Sequence, residues 1–197
     1  MTQTAMIALI ENWIGYLWLG FLILWVFAAF TTKRAVQVQT GSSRLVQALT
    51  VFAGLTLIFN LGHFFTRGWL VVRLFPETLI IVSAGAALTV AGLLFSVWAR
   101  AVLGTNWSGT VTIKQDHELI MRGPYRIVRH PIYTGVLLAL LGSAFIGGCT
   151  RCFIGVVVVG FGFWLKLQLE EQFMLQRFGA QYIDYRQHVH ALIPFVL

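Results

Sequence analysis

One short polar stretch, residues 123–135, concentrates the side chains of this chain that could do chemistry. It reads Gly-Pro-Tyr-Arg-Ile-Val-Arg-His-Pro-Ile-Tyr-Thr-Gly and leads directly into an apolar segment. Pro131 suits the first turn of a helix, and it favours an extended His130 just before that turn. His130 and Tyr133 can then project toward a group at the helix start, where free backbone N–H groups favour an anion such as a carboxylate. The stretch therefore predicts that a polar group is held at the mouth of this helix.

A second group of ionisable residues, Lys166, Glu170 and Glu171, lies near the end of a later apolar segment. Lys166 and Glu170 are four positions apart, so a helix presents both on one face. Ionisable side chains at membrane depth usually mark function, whereas at a solvated helix end they need no ligand. The residues alone leave both interpretations open. They equally allow His130 to be a satisfied polar residue and Tyr133 to be an interfacial aromatic residue.

The composition indicates an integral membrane protein. Of the 197 residues, 58% are hydrophobic and only 11% are charged, against about 25% charged residues in soluble domains. The first apolar run is too long for a secretory signal and lacks a basic region and a cleavage site, so we expect a retained helix. The formal net charge of +7 fits basic loops that orient a membrane protein. No nucleic-acid partner is therefore expected.

Five apolar stretches of about 20 residues match a hydrocarbon layer of about 30 Å. We predict an all-α integral membrane protein with about five transmembrane helices in one domain, 1–197, whose helices one to three occupy 6–102. The predicted helices run from Met6 to Phe30, Leu45 to Phe65, Leu79 to Val102, Ile132 to Gly148 and Phe153 to Leu169.

The basic residues predict the orientation in the membrane. Most of the fourteen Lys and Arg residues fall on one side of this arrangement, and only Arg67, Arg73 and Arg151 fall on the other. Because basic loops stay in the cytoplasm, we expect the N-terminus outside and both the stretch 123–135 and the C-terminus inside. In a bacterium or an archaeon the membrane would be the inner or plasma membrane.

Glycines are frequent in the fourth and fifth predicted helices. Small residues let membrane helices approach closely, so we predict that these two helices form a tight antiparallel hairpin. Its cytoplasmic end then brings His130 opposite Lys166 and Glu170. The glycines are Gly135, Gly142, Gly147 and Gly148 on one side of the turn and Gly155, Gly160 and Gly162 on the other.

Cys149 and Cys152 form a C-x-x-C motif in the turn of this hairpin. With no second cysteine pair and no histidine nearby, a zinc site lacks ligands, and no metal is predicted. We interpret the pair as small residues in a tight turn, oxidised only if that turn faces an oxidising compartment.

Five ordered blocks of sequence occupy the C-terminal half of the chain. They are Leu103 to Ser108, His117 to Ile120, Gly123 to Gly135, Glu170 with Glu171, and Phe178-Gly179 with Tyr182, Tyr185 and Pro194. Together the blocks resemble the isoprenylcysteine carboxyl methyltransferase family, within the wider group of phospholipid methyltransferases. The resemblance covers roughly residues 103–194, and it makes 103–197 the expected catalytic half. It is specific for the group and much less so for the substrate.

The resemblance implies S-adenosyl-L-methionine as the cofactor, with S-adenosyl-L-homocysteine as the product, in a cytoplasmic cap over the helix hairpin. It implies that the adenosine end is lined by His117, Glu118, Leu119 and Ile120. It also implies that Tyr125 packs on the cofactor, that His130, Pro131, Ile132 and Tyr133 form the other wall, and that Glu170 is the acidic contact.

Lys166 falls where the eukaryotic enzymes of this family carry an arginine that contacts the substrate carboxylate. The resemblance therefore implies a substrate-binding and catalytic position for Lys166. Lysine keeps the positive charge but loses the planar, two-pronged grip of arginine on a carboxylate. This departure weakens the case for a prenylcysteine carboxylate in particular.

The leading hypothesis is methyl transfer from S-adenosylmethionine to a lipophilic acceptor, either a prenylated cysteine or a membrane lipid amine. An NADPH-dependent enzyme resembling the sterol reductases is an alternative, but Val136 stands where those proteins commonly carry an acidic residue. A non-enzymatic scaffold or a transporter is a third, and the lack of a repeat makes a transporter less favoured. Neither the acceptor nor the oligomeric state follows from the sequence.

Overall fold

A computed structural model describes residues 2–30, 35–38, 40–107, 112–114 and 118–193. Helices dominate these residues, and the predicted all-α class is confirmed. The helices are α1 (Gln3–Ala29), α2 (Gly41–Phe59), α3 (Leu79–Leu103), α4 (Pro131–Gly147), α5 (Thr150–Phe178) and α6 (Ala180–His188). Short 3-10 turns lie at Leu61–His63, Trp69–Val71, Gly104–Asn106 and Gly123–Arg126. Two short strands, β1 (Ala35–Val38) and β2 (Thr112–Lys114), were not predicted.

Within the described part of the chain, four helices are long and apolar enough to cross a membrane: α1, α2, α3 and α5. The apolar helix α4 has 17 residues. At about 1.5 Å per residue it measures about 25 Å, against a hydrocarbon layer of about 30 Å. The integral membrane class is confirmed, while the crossing by α4, and with it the count of five, stays a prediction.

Glycines join the helices in two pairs, α3 with α4 and α2 with α5. A Cβ atom on Gly142 of α4 would lie 2.5 Å from the carbonyl oxygen of Gly85 in α3. A Cβ atom on Gly155 of α5 would lie 2.6 Å from the carbonyl oxygen of Gly54 in α2. The predicted hairpin of α4 and α5 is present. The prediction that glycines pack these two helices against each other is wrong for Gly142 and Gly155, because these two face α3 and α2 instead.

Helix α1 is attached to the pair α3–α4 through apolar and polar contacts. Ile7 and Ile14 of α1 pack in one buried cluster with Val82 of α3 and Ile146 of α4. In the same interior, Trp18 Nε1 donates a hydrogen bond of 3.0 Å to Ser143 Oγ in α4. Buried polar groups in a membrane protein need such partners, so this contact fixes the rotation of α1.

Two backbone pairings show which connections share an end of the helices. Strand β1, between α1 and α2, pairs antiparallel with β2, between α3 and α4. At the opposite end, Arg73 in the α2–α3 connection forms a backbone bridge with Cys149 in the α4–α5 turn. Consecutive helices therefore alternate in direction, and α4 begins at the end that carries β1 and β2.

Two helix ends depart furthest from the hydropathy prediction. Helix α2 ends at Phe59 because Asn60 is left-handed, with φ 50° and ψ 45°. The Asn60 side chain exchanges hydrogen bonds of 3.2 and 3.0 Å with the backbone of Phe65, which closes a local turn that hydropathy does not reveal. Helix α5 instead continues beyond the predicted Leu169 to Phe178, and Gly179, with φ 51°, ends it.

Candidate functional site

A polar cluster of His130, Tyr133 and Glu170 joins the start of α4 to the second half of α5. Tyr133 donates a hydrogen bond of 2.5 Å to Glu170 Oε1, and His130 Nδ1 lies 3.3 Å from Glu170 Oε2. The rings of His130 and Tyr133 are stacked, with their centroids 5.7 Å apart. The structure thus brings together the polar groups that the sequence predicted to face each other across the hairpin.

His130 lies between two carboxylates. Its Nε2 is 3.2 Å from Glu171 Oε1, while its Nδ1 faces Glu170. Burial alone would lower the pKa of His130, but the hydrogen bonds to Glu170 and Glu171 outweigh burial and raise this pKa above its ordinary value of 6.5. A charged imidazole paired on both nitrogens holds the two carboxylates in place and is not a free general base.

Glu171 is the centre of a buried ionic network on the other side of His130. Its carboxylate accepts a hydrogen bond of 2.7 Å from Arg129 Nε and one of 3.1 Å from the Tyr182 hydroxyl in α6. Arg186 Nε lies 3.1 Å from its second oxygen. The side chains of Glu171 and Arg129 are only 8% and 10% exposed. The network therefore ties α6 to α5 and to the loop before α4.

The segment after α6 runs across the start of α4. The backbone N–H of Arg129 donates to the carbonyl of His190 at 2.8 Å, and that of His130 donates to the carbonyl of Ala191 at 3.0 Å. Thr134 Oγ1 donates to the carbonyl of Leu192 at 2.7 Å. The N–H groups of Arg129 and His130 therefore donate to tail carbonyls. The prediction that free N–H groups in the first turn of α4 favour an anion stays a prediction.

Lys166 lies beside the polar cluster, one helical turn before Glu170. Its Nζ is 5.4 Å from the centre of the Tyr133 ring, within the range of a cation–π contact. Its charge also interacts with the Glu170 carboxylate. A cation, a carboxylate and an aromatic face therefore occupy one end of the α4–α5 hairpin.

Tyr125, Pro131 and Ile132 are brought to the same end but are engaged with the protein itself. The Tyr125 hydroxyl donates to the carbonyl of Ala99 in α3 at 3.4 Å, and burial raises the pKa of Tyr125 well above its ordinary value. Pro131 is fully buried at the first position of α4. The Ile132 carbonyl accepts a hydrogen bond of 3.2 Å from Ser96 Oγ. Their expected contacts with a cofactor stay predictions.

The predicted adenosine-binding segment is described only in part. His117 lies outside the described residues. Glu118 is exposed, and Leu119 and Ile120 are half-buried in an irregular segment that precedes the Gly123–Arg126 turn. The role predicted for these residues stays a prediction.

The arrangement is suited to binding a small zwitterion or a cation. The Glu170 carboxylate is held in place by His130 and Tyr133, and its side chain is 23% exposed, which leaves it accessible to a ligand. Lys166 supplies a positive charge for a second, anionic group. Among the described residues, no group of three or more His, Cys, Asp and Glu side chains could hold a metal ion.

Sequence reasoning missed the separate roles of Glu170 and Glu171. Neighbouring residues of a helix point about 100° apart, which predicts that two adjacent glutamates cannot serve the same ligand in the same way. That signal was available from the sequence. No comparable signal identified Arg186 as a partner of Glu171, or the tail carbonyls as partners of the α4 start, since backbone acceptors carry no sequence signature.

The fold and the site together define an integral membrane protein with a polar site at one end of its helices. The sequence profile described as phospholipid methyltransferase matches residues 80–181. The chain belongs to this family, and the resemblance stated from its sequence blocks is confirmed. It is therefore a methyltransferase, and such an enzyme requires a methyl donor.

Named relatives agree with this assignment, and one solved structure has a similar fold. A probable protein-S-isoprenylcysteine O-methyltransferase of Oryza sativa subsp. indica is 28% identical over 172 residues, which cover 86% of each chain. Protein-S-isoprenylcysteine O-methyltransferase B of Arabidopsis thaliana is 30% identical over 57% of this chain and 58% of its own. The structure of a eukaryotic intramembrane Ras methyltransferase, an isoprenylcysteine carboxyl methyltransferase, has a similar fold, with a TM-score of 0.52 at 23% identity. That match covers 81% of this chain but 55% of the solved chain.

Proposed function

We propose that this protein transfers a methyl group from S-adenosylmethionine to the carboxylate of a lipophilic, isoprenylcysteine-like acceptor. The relatives named above support the reaction class. The observation that carries the proposal is the partly exposed Glu170 side chain, whose carboxylate is held by His130 and Tyr133 with Lys166 one turn away. This set offers a negative group, Glu170, to the cationic cofactor and a positive group, Lys166, to the anionic acceptor.

The residues present fit S-adenosylmethionine. Its cationic groups match the negative charge of Glu170, whose side chain is 23% exposed. In this proposal its adenosine end is bound by His117, Glu118, Leu119 and Ile120. When bound, the cofactor supplies a methyl group already activated by the positive sulfur. Tyr133 and His130 hold Glu170 in a fixed position, which limits the freedom of the bound cofactor.

The acceptor requires little acid–base help if it is a carboxylate. Carboxyl groups have ordinary pKa values of about 4 and are ionised near neutral pH. Lys166 then binds and orients the carboxylate beside the cofactor site. Holding reacting groups in line can contribute several kcal/mol, up to about 7–11 kcal/mol in the best intramolecular cases.

The proposed orientation places this polar end in the cytoplasm, with the N-terminus outside and residues 1–197 forming one domain. Its support is the excess of Lys and Arg in connections at this end and the alternation of helix direction. The acceptor then enters from the bilayer and the donor from the cytoplasm.

Calorimetry with purified protein in detergent tests the cofactor assignment. We expect the intact protein to bind S-adenosylmethionine and Glu170→Gln to weaken that binding at least tenfold. Glu77→Gln is the matched control, because Glu77 is an exposed carboxylate paired with Arg73 at the other end of the helices. Absence of binding by the folded wild-type protein would refute the assignment.

A phospholipid amine is the second candidate acceptor, because the matching family profile is the one for phospholipid methyltransferases. Two features of the site disfavour it. An amine must lose a proton before it attacks, which requires a base, and His130 is already paired on both nitrogens. The positive charge of Lys166 would also repel an ammonium group.

A radiolabelled-methyl assay with farnesylated cysteine analogues and phosphatidylethanolamine in parallel decides between the acceptors. For a carboxylate acceptor, Lys166→Met should raise the KM about ten- to a hundredfold, the range for losing a charged hydrogen bond. Lys166→Arg should improve carboxylate use, since arginine grips both oxygens. Methylation of phosphatidylethanolamine alone would contradict the carboxylate assignment.

A further inference from the structure

Cys149 and Cys152 lie where four segments of the protein meet, at the end of the helices remote from the polar cluster. Cys149 precedes the first residue of α5 and Cys152 lies in its first turn. Cys149 is bridged to Arg73 in the α2–α3 connection, and Cys152 Sγ lies 3.6 Å from the carbonyl oxygen of Ile58 at the end of α2. The pair therefore contacts or adjoins α2, α4, α5 and the α2–α3 connection.

This position is mechanically important because of how the helices pair. Helix α4 packs through its glycines on α3, and α5 packs through its glycines on α2. The turn at 148–150 is one of two covalent links between these pairs, and the α2–α3 connection is the other. It is held by hydrogen bonds of 2.7 Å from the Leu74 N–H to the Gly148 carbonyl and of 3.0 Å from the Thr150 N–H to the Val72 carbonyl.

The two thiols are also well placed to react with each other. Both cysteines are buried, and their sulfur atoms are in contact at 2.9 Å. The Cys152 N–H donates to the Cys149 carbonyl at 2.9 Å, which fixes the backbone between them. They are the two cysteines of the chain, so no third cysteine competes as a partner.

We propose that Cys149 and Cys152 form an intramolecular disulfide that braces the junction between the α3–α4 and α2–α5 pairs. The orientation proposed above places this turn on the non-cytoplasmic face, where disulfides persist. The bond constrains the turn in the unfolded chain as well as in the folded protein. The proposed disulfide plays no part in the methyl-transfer reaction.

The oxidant is a small-molecule or protein disulfide, and the exchange balances. When the turn opens and exposes the buried Cys149, its thiolate attacks one sulfur of the oxidant, which forms a mixed disulfide and releases one oxidant thiolate. The Cys152 thiolate then attacks the Cys149 sulfur, forming the internal bond and releasing the second oxidant thiolate. Two protein thiols are oxidised and one disulfide is reduced to two thiols, and the protons pass to the released thiolates.

The test equilibrates the purified protein in detergent with mixtures of reduced and oxidised glutathione, starting from both the reduced and the oxidised protein. Acid quenching, denaturation, alkylation with N-ethylmaleimide and intact-mass measurement then count the free thiols. We expect a monomer that carries no alkyl group in oxidising buffer, and a Tm several degrees above that of the reduced protein. Free thiols in oxidising buffer, glutathione adducts alone, or an internal disulfide without a rise in Tm would each overturn the proposal.

Cys149→Ser is the matched variant. Serine is among the favoured residues at the position before a helix, and Cys149 makes no side-chain capping bond there, so the start of α5 is preserved. Its Tm should match that of the reduced wild-type protein and should not respond to glutathione composition. A response of this variant equal to that of the wild type would also overturn the proposal. None of these measurements involves methyl transfer, so their outcome is independent of the proposed function.

Discussion

Removal of the Glu171 side chain should destabilise the protein far more than removal of the exposed members of the same ionic network. Glu171 and Arg129 are 8% and 10% exposed and share a hydrogen bond of 2.7 Å. Removing one partner of a buried ion pair costs about 3–5 kcal/mol, because the other charge stays buried without a counter-charge. Arg186 is 42% exposed, so its contact with Glu171 contributes no more than about 1 kcal/mol. We therefore expect Glu171→Ala to lower the free energy of unfolding by about 3–5 kcal/mol.

Denaturant unfolding in detergent micelles, followed by circular dichroism, measures this loss. Arg129→Ala should cost nearly as much as Glu171→Ala, and the double variant should cost much less than the sum, because contacting residues do not add. Arg186→Ala is the control, with an expected loss within about 1 kcal/mol. If Glu171→Ala costs no more than Arg186→Ala, or if the two buried substitutions add fully, the reasoning from a buried network is refuted.

Three other perturbations follow from the packing and the charges. Gly142→Ala should lower the free energy of unfolding by about 1–3 kcal/mol, because the added methyl group overpacks the α3–α4 contact. In the control Gly15→Ala the added methyl group meets nothing within 4 Å, so thermal stability should change little. Equal effects of the two substitutions would contradict the α3–α4 contact. The pKa of His130 is raised above its ordinary value of 6.5, so the charged imidazole stabilises the fold fully below pH 6.5. This stabilisation is lost as the pH rises through the raised pKa. The Tm of the wild type should therefore fall with pH over that range, and the Tm of His130→Gln should not. A chain that ends at Val189 loses three hydrogen bonds to the α4 start. In denaturant unfolding it should be about 1–4 kcal/mol less stable than a chain that ends at Ile193, which keeps them.

The sequence predicted the elements of the site well because their signals are local. Pro131 marks the start of α4, and the four-residue spacing of Lys166 and Glu170 places both on one face of α5. The short turn of the hairpin then leaves those two ends facing each other. The contacts of Glu170 with His130 and Tyr133 follow from these three local facts.

Helix partners were not predictable in the same way. Gly142 and Gly155 indicate a close approach of another backbone, but a glycine does not specify which helix approaches it. The short connection between α4 and α5 favoured the prediction that these two helices pack on each other. In the structure, Gly142 packs on Gly85 of α3 and Gly155 packs on Gly54 of α2. The end of α2 at Asn60 was missed for a related reason, since a left-handed turn closed by one amide leaves no trace in hydropathy.

The adjacent glutamates also decide how activity data on this protein should be interpreted. Glu170 points to the open polar cluster, and Glu171 points to the buried network, and His130 touches both. A substitution at Glu171 therefore removes one of the two carboxylates that hold His130, and the loosened His130 no longer positions Glu170 well. Both substitutions would then lower activity, so an activity assay alone would identify both glutamates as cofactor ligands. Stability separates them, because only the Glu171 substitution leaves Arg129 buried without a counter-charge. We expect Glu170→Gln to lose more cofactor affinity than stability and Glu171→Gln to show the reverse order, and the same order in both variants would refute this division of roles.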